Sequence, residues 1–135
     1  MDLSVYLSAA FSRQTEMQWV ANELQKRGIR VTSRWIVENP HATRLQRALY
    51  DVEDIKIANV LVRYSDATID ELHVEGKSMP AKLVTGARHT EMGMALMLGI
   101  PTIVIGGPQN VFDFLPQVKH LHNTEQMLDY LGGQR

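Results

Sequence analysis

Short runs of aliphatic and β-branched residues alternate along this chain with longer stretches in which apolar residues return every three or four positions. Val5-Tyr6-Leu7 predicts a first strand, which gives way to the small residues Ser8-Ala9-Ala10. From Gln14 to Arg27, the residues Met17, Val20, Ala21 and Leu24 fall at the i, i+3, i+4, i+7 spacing of an amphipathic helix, and Gly28 supplies its stop. Ile29 to Thr32 reads as a second strand, Glu38 to His41 as loop, and Leu45, Ala48, Leu49, Val52 and Ile55 as the next helical stripe. Asn59 to Val62 is a third strand, aliphatic enough to be buried on both faces. From Ser65 to Gly86 the chain is polar, carries Gly76 and Pro80 and shows no period, as expected of a lid, a binding loop or else a disordered segment. A helix from about Arg88 to Leu98, closed by Gly99, leads into a fourth strand from Pro101 to Gly106. A helical turn at Val111 to Leu115, a weaker fifth strand at Val118 to His122 and a closing helix from Thr124 to Leu131, capped by Thr124, complete the pattern.

Strands and helices alternating with short connections imply right-handed crossovers and a mostly parallel sheet covered on both faces. The expectation is one α/β domain over residues 1–135, a flavodoxin-like three-layer sandwich with strand order 2-1-3-4-5. In that topology ligands bind at the carboxyl ends of strands one and three.

Composition narrows the chemistry. The chain has 135 residues, 14 Lys+Arg against 15 Asp+Glu, and no cysteine. A net charge of −1 gives no general pull toward nucleic acid or an anionic membrane, so neither is expected as a partner. Without cysteine there is no disulfide scaffold, thiolate zinc site or thiol nucleophile. The opening Met1-Asp2-Leu3 does not resemble a secretory signal, and no apolar run approaches membrane-spanning length, so a cytoplasmic protein is expected.

Phosphate-loop, dinucleotide-binding, serine-elbow and zinc-protease signatures are absent. His120 and His122 share one face of the fifth strand, but without a third ligand they read as a polar strand face, and no metal is expected. The switch point joins the turn Ser8 to Arg13 with the segment ending Thr85-Gly86-Ala87-Arg88-His89-Thr90-Glu91. Glu91 falls in the first turns of a helix, where the dipole favours a carboxylate. Asp51 and Asp54 would sit at the unfavourable end of a helix running from His41 to Ala58. A break near Tyr50 would make Asp51 an N-cap and Asp54 a first-turn acid.

The runs Val5-Tyr6-Leu7-Ser8-Ala9-Ala10-Phe11-Ser12-Arg13, Asp51 seven residues ahead of Ala58-Asn59-Val60-Leu61-Val62, and Arg88 to Pro101 occur in an order that resembles the nucleoside 2-deoxyribosyltransferase family. That family includes the 2'-deoxynucleoside 5'-phosphate N-hydrolases. The stretch Glu91-x-Gly93-x-Ala95-x-x-x-Gly99-x-Pro101 is the most specific part of the likeness. The resemblance implies Glu91 as a nucleophile toward the anomeric carbon, Tyr6 as its hydrogen-bond donor and Asp51 as the group handling the proton of the base. Ala9 or Ala10 stands where the family carries glycine, and Asn59 where an aspartate is common. A homo-oligomer, a small-molecule nucleoside or nucleotide with a free nucleobase as partners, and no cofactor are also implied.

The chemistry is consistent with those residues. An oxocarbenium-like transition state is stabilised, and can be trapped, by one carboxylate, while a second acid of higher pKa protonates the departing base. Glu91 near a helix start and Asp51 in a more desolvated cleft would divide the roles that way. Phe11 and Trp35 are candidates to stack on a base, and Arg13, Arg34 and Arg88 to gather around a 5'-phosphate. The candidate substrate-binding set is Ser8, Ala9, Phe11, Arg13, Trp35, Asp54, Gly86 and Arg88. Met92, Met94 and Met97 spread apolar character around the Glu91 helix, in a core or an interface. Asn110 is a candidate for donation across an interface and equally suits a helix cap. Deoxyribosyl transfer is the leading expectation, hydrolysis of 2'-deoxynucleoside 5'-monophosphates the alternative. A non-catalytic nucleotide sensor would instead bury Glu91 against a structural arginine.

Overall fold

The computed structural model describes residues 2–37, 41–65 and 87–133. Five strands form one sheet: β1 (Ser4–Ser8), β2 (Arg30–Val31), β3 (Val60–Tyr64), β4 (Thr102–Ile105) and β5 (Val118–Leu121). Their order is β2-β1-β3-β4-β5 and every pairing is parallel, so the domain has the flavodoxin-like α/β architecture. Helices α1 (Gln14–Lys26), α2 (Arg44–Lys56), α3 (Ala87–Met97) and α4 (Thr124–Gly132) connect and cover the strands. Gly28 and Gly99, at φ 76° and 73°, follow α1 and α3 in the left-handed conformation that ends helices with least strain.

Period-two alternation divides the core in two. Val5 and Leu7 of β1 join Met17, Val20 and Leu24 of α1 and Met127 and Leu131 of α4 on one face. Tyr6 packs on the other face with Leu61, Ile55, Met92 and Ala95, under α2 and α3. Tyr6 pairs with Leu61 and Ser8 with Arg63, so the two β1 hydroxyls and the Arg63 side chain face the α2/α3 layer. Asn59 is structural: its Oδ1 accepts from the Ser4 amide at 2.9 Å and ties the start of β1 to the entry into β3.

Two local expectations are corrected. Helix α2 runs unbroken through Tyr50, because Thr43 and Gln46 form a reciprocal capping box that starts it at Arg44. Asp51 is therefore not an N-cap, and both Asp51 and Asp54 lie in the C-terminal half of the helix. The closing helix is capped by Asn123, whose Oδ1 accepts from the Gln126 amide at 2.9 Å, while Thr124 Oγ1 shares a 2.7 Å hydrogen bond with the Tyr64 hydroxyl. The turn at Val111–Phe114 is present as a 3-10 helix, and a further one at Arg34–Ile36 was not foreseen.

Candidate active site

Glu91 is the fifth residue of α3, within its first turns as the sequence indicated, and only 7% of it is exposed. Its Oε1 accepts from Ser8 Oγ at 2.7 Å and its Oε2 from the Tyr6 hydroxyl. Strand β1 makes this possible, since Tyr6 and Ser8 are two residues apart and share a face. Burial pushes the Glu91 pKa up to about 7; the Tyr6 and Ser8 hydrogen bonds oppose that rise and the nearby Asp51 charge adds to it. The Tyr6 hydroxyl is pushed far above its usual range by burial and by both carboxylates, so it stays protonated and donates.

Asp51, half-buried on α2, acts on the same Tyr6 hydroxyl. Burial raises its pKa, the Tyr6 hydrogen bond lowers it, Asp54 raises it and Arg34 lowers it. The expected order of desolvation is thus reversed: Glu91, not Asp51, is the more buried acid. Covering by β1 hydroxyls and α3 neighbours outweighs the helix dipole, whose effect is confined to the first turn.

Glu91 and Asp51 border one cavity of about 640 Å³, lined also by Ala9, Phe11, Trp35 and Tyr50. The Phe11 and Trp35 rings lie 6.4 Å apart at 42°, and Trp35 Nε1 donates to the Leu7 carbonyl at 2.7 Å, which locks that indole in place. Trp35 is both core and wall. Arg34 also lines the cavity, whereas Asp54, Arg13 and Arg88 do not. Asp54 is buried and turned away from the cavity, with Oδ1 accepting from Arg34 Nε at 2.9 Å. Arg13 pairs with Glu16, donates to the Ser65 carbonyl and covers the Tyr64 ring, while Arg88 is buried and outside the cavity lining. Arg13 is engaged by Glu16 and Ser65 and Arg34 by Glu53 and Asp54, and of Arg13, Arg34 and Arg88 only Arg34 lines the cavity. Gly86 and the loop from 66 onward lie outside the described residues.

A feature missed in sequence supports α3 from below. Arg63 and Asp113 are fully buried and form a bidentate pair at 2.6 and 2.7 Å. Arg63 Nη1 also reaches Met92 Sδ at 3.0 Å, next to Glu91 in sequence. Burial would raise the Asp113 pKa, but the Arg63 pair and the Gln109 amide hold it below its ordinary value. A lone arginine in the strand Val60-Leu61-Val62-Arg63-Tyr64 was the available signal; its partner 50 residues on was not legible. Asn110 caps the turn that carries Asp113, its Oδ1 accepting from the Phe112 amide at 3.0 Å. His120 Nε2 donates to the Asp113 carbonyl at 2.6 Å. No group of three His, Asp or Glu suited to a metal ion occurs among the described residues.

Fold and site together define a flavodoxin-like α/β domain whose switch-point cavity carries a hydroxyl-held glutamate beside an aspartate. Among solved structures, the CMP N-glycosidase BcmB of Clostridium botulinum shares this fold at 17% identity and a TM-score of 0.62, over 95% of this chain and 97% of that one. A conserved protein from Enterococcus faecalis V583 superposes at 14% identity and a TM-score of 0.61, with both chains covered in full. No family model matches the chain, and no curated protein sequence matches it.

Proposed function

We propose that this protein cleaves the N-glycosidic bond of a 2'-deoxyribonucleoside and transfers the deoxyribosyl group to a second nucleobase. The observation that carries this reading is the Glu91 carboxylate, held by two neutral hydroxyls at the wall of a cavity that Asp51 also borders. The ionised Glu91 attacks the anomeric carbon as the C1'–N bond breaks toward the base, and Asp51 supplies the proton the base nitrogen takes up. Tyr6 and Ser8 fix the direction of the Glu91 oxygens and disperse their charge. A second base, entering the vacated aromatic slot near Phe11 and Trp35, returns its proton to Asp51 and takes the sugar from Glu91. Two inversions give net retention. The carboxylates suffice for both steps, so the reading needs no metal or organic cofactor.

Hydrolysis of a 2'-deoxynucleoside 5'-monophosphate is the second reading, favoured by the fold shared with a CMP N-glycosidase. A sensor role is disfavoured because, among the described residues, Glu91 accepts from Tyr6 and Ser8 and not from an arginine, and it lines the cavity. Incubating the protein with deoxyinosine or with a 2'-deoxynucleoside 5'-monophosphate, each with and without adenine, tests the reaction. Deoxyadenosine as the β-anomer supports transfer, free hypoxanthine alone supports hydrolysis, and unchanged nucleosides and 5'-monophosphates would remove both readings. We further propose that a second copy covers the exposed face of α2 and α3, where Leu45, Leu49 and Leu98 are exposed and Met97 is 89% exposed. Light scattering should report a homo-oligomer that Met97→Lys dissociates; a monomer at micromolar concentration would refute it. No helix among the described residues is long and apolar enough to cross a membrane.

A further inference from the structure

Arg34 borders the same cavity, beside Trp35, Tyr50 and Asp51, and is pinned on several sides. Its Nε donates to the two Asp54 oxygens at 2.9 and 3.2 Å, and its Nη2 to Glu53 Oε2 at 2.8 Å. One face of the guanidinium lies 4.1 Å over the Tyr50 ring. The Arg34 amide adds a further bond to Asp54 Oδ2 at 2.9 Å. These contacts use the Nε–Nη2 edge of the fork and leave Nη1 without a hydrogen-bond partner among the described residues. An arginine so held has already lost much of the side-chain freedom that ligand binding would otherwise remove. Its spare donor is preset.

The local charge indicates what that donor can take. Asp54 and Glu53 already neutralise the guanidinium, so a phosphate brought to Nη1 would also meet two carboxylates. A neutral acceptor meets no such repulsion. Asp51 lies one turn before Asp54 on α2 and feels the Arg34 charge, so the donor and the proposed acid belong to one wall.

We propose that Arg34 Nη1 donates to an exocyclic carbonyl oxygen of the nucleobase, selecting oxo bases over their amino counterparts. This rests on the reaction proposed above and specifies its substrate class. As the C1'–N bond breaks, electron density moves onto the base and its carbonyl oxygen, so a donor there binds the leaving base more tightly than the ground state. An exocyclic amine at that position would set N–H against N–H and leave Nη1 unsatisfied. The Arg34 side chain is 49% exposed, so it is the bound base that shuts water off from Nη1, and a mismatched base then leaves the donor unsatisfied.

The test compares kcat/KM for deoxyinosine and deoxyadenosine, together with calorimetric binding of free hypoxanthine and adenine to the wild-type protein. A preference for the oxo partner of about tenfold or more is expected in both measurements. Arg34→Lys keeps a positive charge facing Asp54 but lacks the second arm of the fork, and should bring the ratio to within about twofold of unity. The paired variant Arg34→Met/Asp54→Asn, which leaves no lone buried charge, should do the same. A purely structural Arg34 would lower both rates and leave their ratio intact. Equal or inverted preference in the wild type, or a ratio unchanged in a folded variant, overturns the proposal. Absence of turnover with every nucleoside would refute the reaction instead, while the two free bases would still decide the role of Arg34.

Discussion

Replacing Glu91 by glutamine should make the protein more stable above about pH 5, and not at more acid pH. The Glu91 pKa is raised from an ordinary value of 4.5 to about 7, because burial disfavours its ionised form more than Tyr6 and Ser8 favour it. Between those two pH values the folded state holds a proton that the unfolded state has released. Stability attributable to this group is therefore fully present below about pH 4.5 and is lost as the pH rises through 7. At about 1.4 kcal/mol per pH unit, the loss approaches roughly 3 kcal/mol at pH 8. Glutamine fits the same place: its oxygen accepts from Tyr6, its amide donates to Ser8 Oγ, and it has no charge to desolvate. Urea unfolding of both proteins from pH 4.5 to 8.5 is the assay. The midpoints should nearly coincide at the acid end, diverge between about pH 5 and 7 and stay apart by a constant amount above that, with the variant the more stable. Parallel curves across the range, or a variant less stable at pH 8, would refute the claim that the site holds a destabilised carboxylate.

Two further outcomes follow from the same geometry. Glu91 and Asp51 act on one Tyr6 hydroxyl, and both are raised, so attack with general-acid assistance needs the pair to hold a single proton. The kcat/KM of a natural deoxynucleoside should accordingly be bell-shaped and fall above about pH 7, whereas a deoxyriboside with an activated leaving group should keep rising through pH 7. Asp51→Asn should slow the first substrate by about 100-fold or more and the second little; identical profiles and equal losses for the two would contradict the division of roles. Arg63→Met should destabilise by about 3–5 kcal/mol in urea, since it strands the buried Asp113, and adding Asp113→Leu should recover much of that. No recovery in the double variant would argue against an uncompensated charge as the cause.

The sheet was legible because its signals are local. Each buried strand is a compact aliphatic run, and Gly28 and Gly99 mark helix ends that backbone sterics alone require. The placement of Tyr6 and Ser8 on the face that carries Glu91 was implicit in strand alternation once the sheet order was known. The continuity of α2 shows how local signals compete: Asp51 and Asp54 near a negative helix end favour a break near Tyr50. The Thr43–Gln46 capping box and the pairing of the buried Asp54 with Arg34 make an unbroken α2 tolerable instead. What stayed hidden depends on contacts distant in sequence. Glu91 is covered by residues 83 and 85 positions away, and its raised pKa follows from that cover, not from its place along α3. Arg63 and Asp113 likewise find each other only in the folded chain.

The central claim is that Glu91 becomes covalently bonded to the sugar. A 2'-deoxy-2'-fluoro-arabinosyl nucleoside tests it, because fluorine next to the anomeric carbon destabilises the oxocarbenium-like state and should let the ester outlive its formation. After incubation, intact-mass spectrometry should show one added fluorodeoxyarabinosyl group per chain. Peptide mapping should place it on Glu91, adenine should discharge it, and Glu91→Gln should not acquire it. A protein that turns over deoxynucleosides but yields no adduct, with inversion at the anomeric carbon of the product, would show direct displacement and contradict the account.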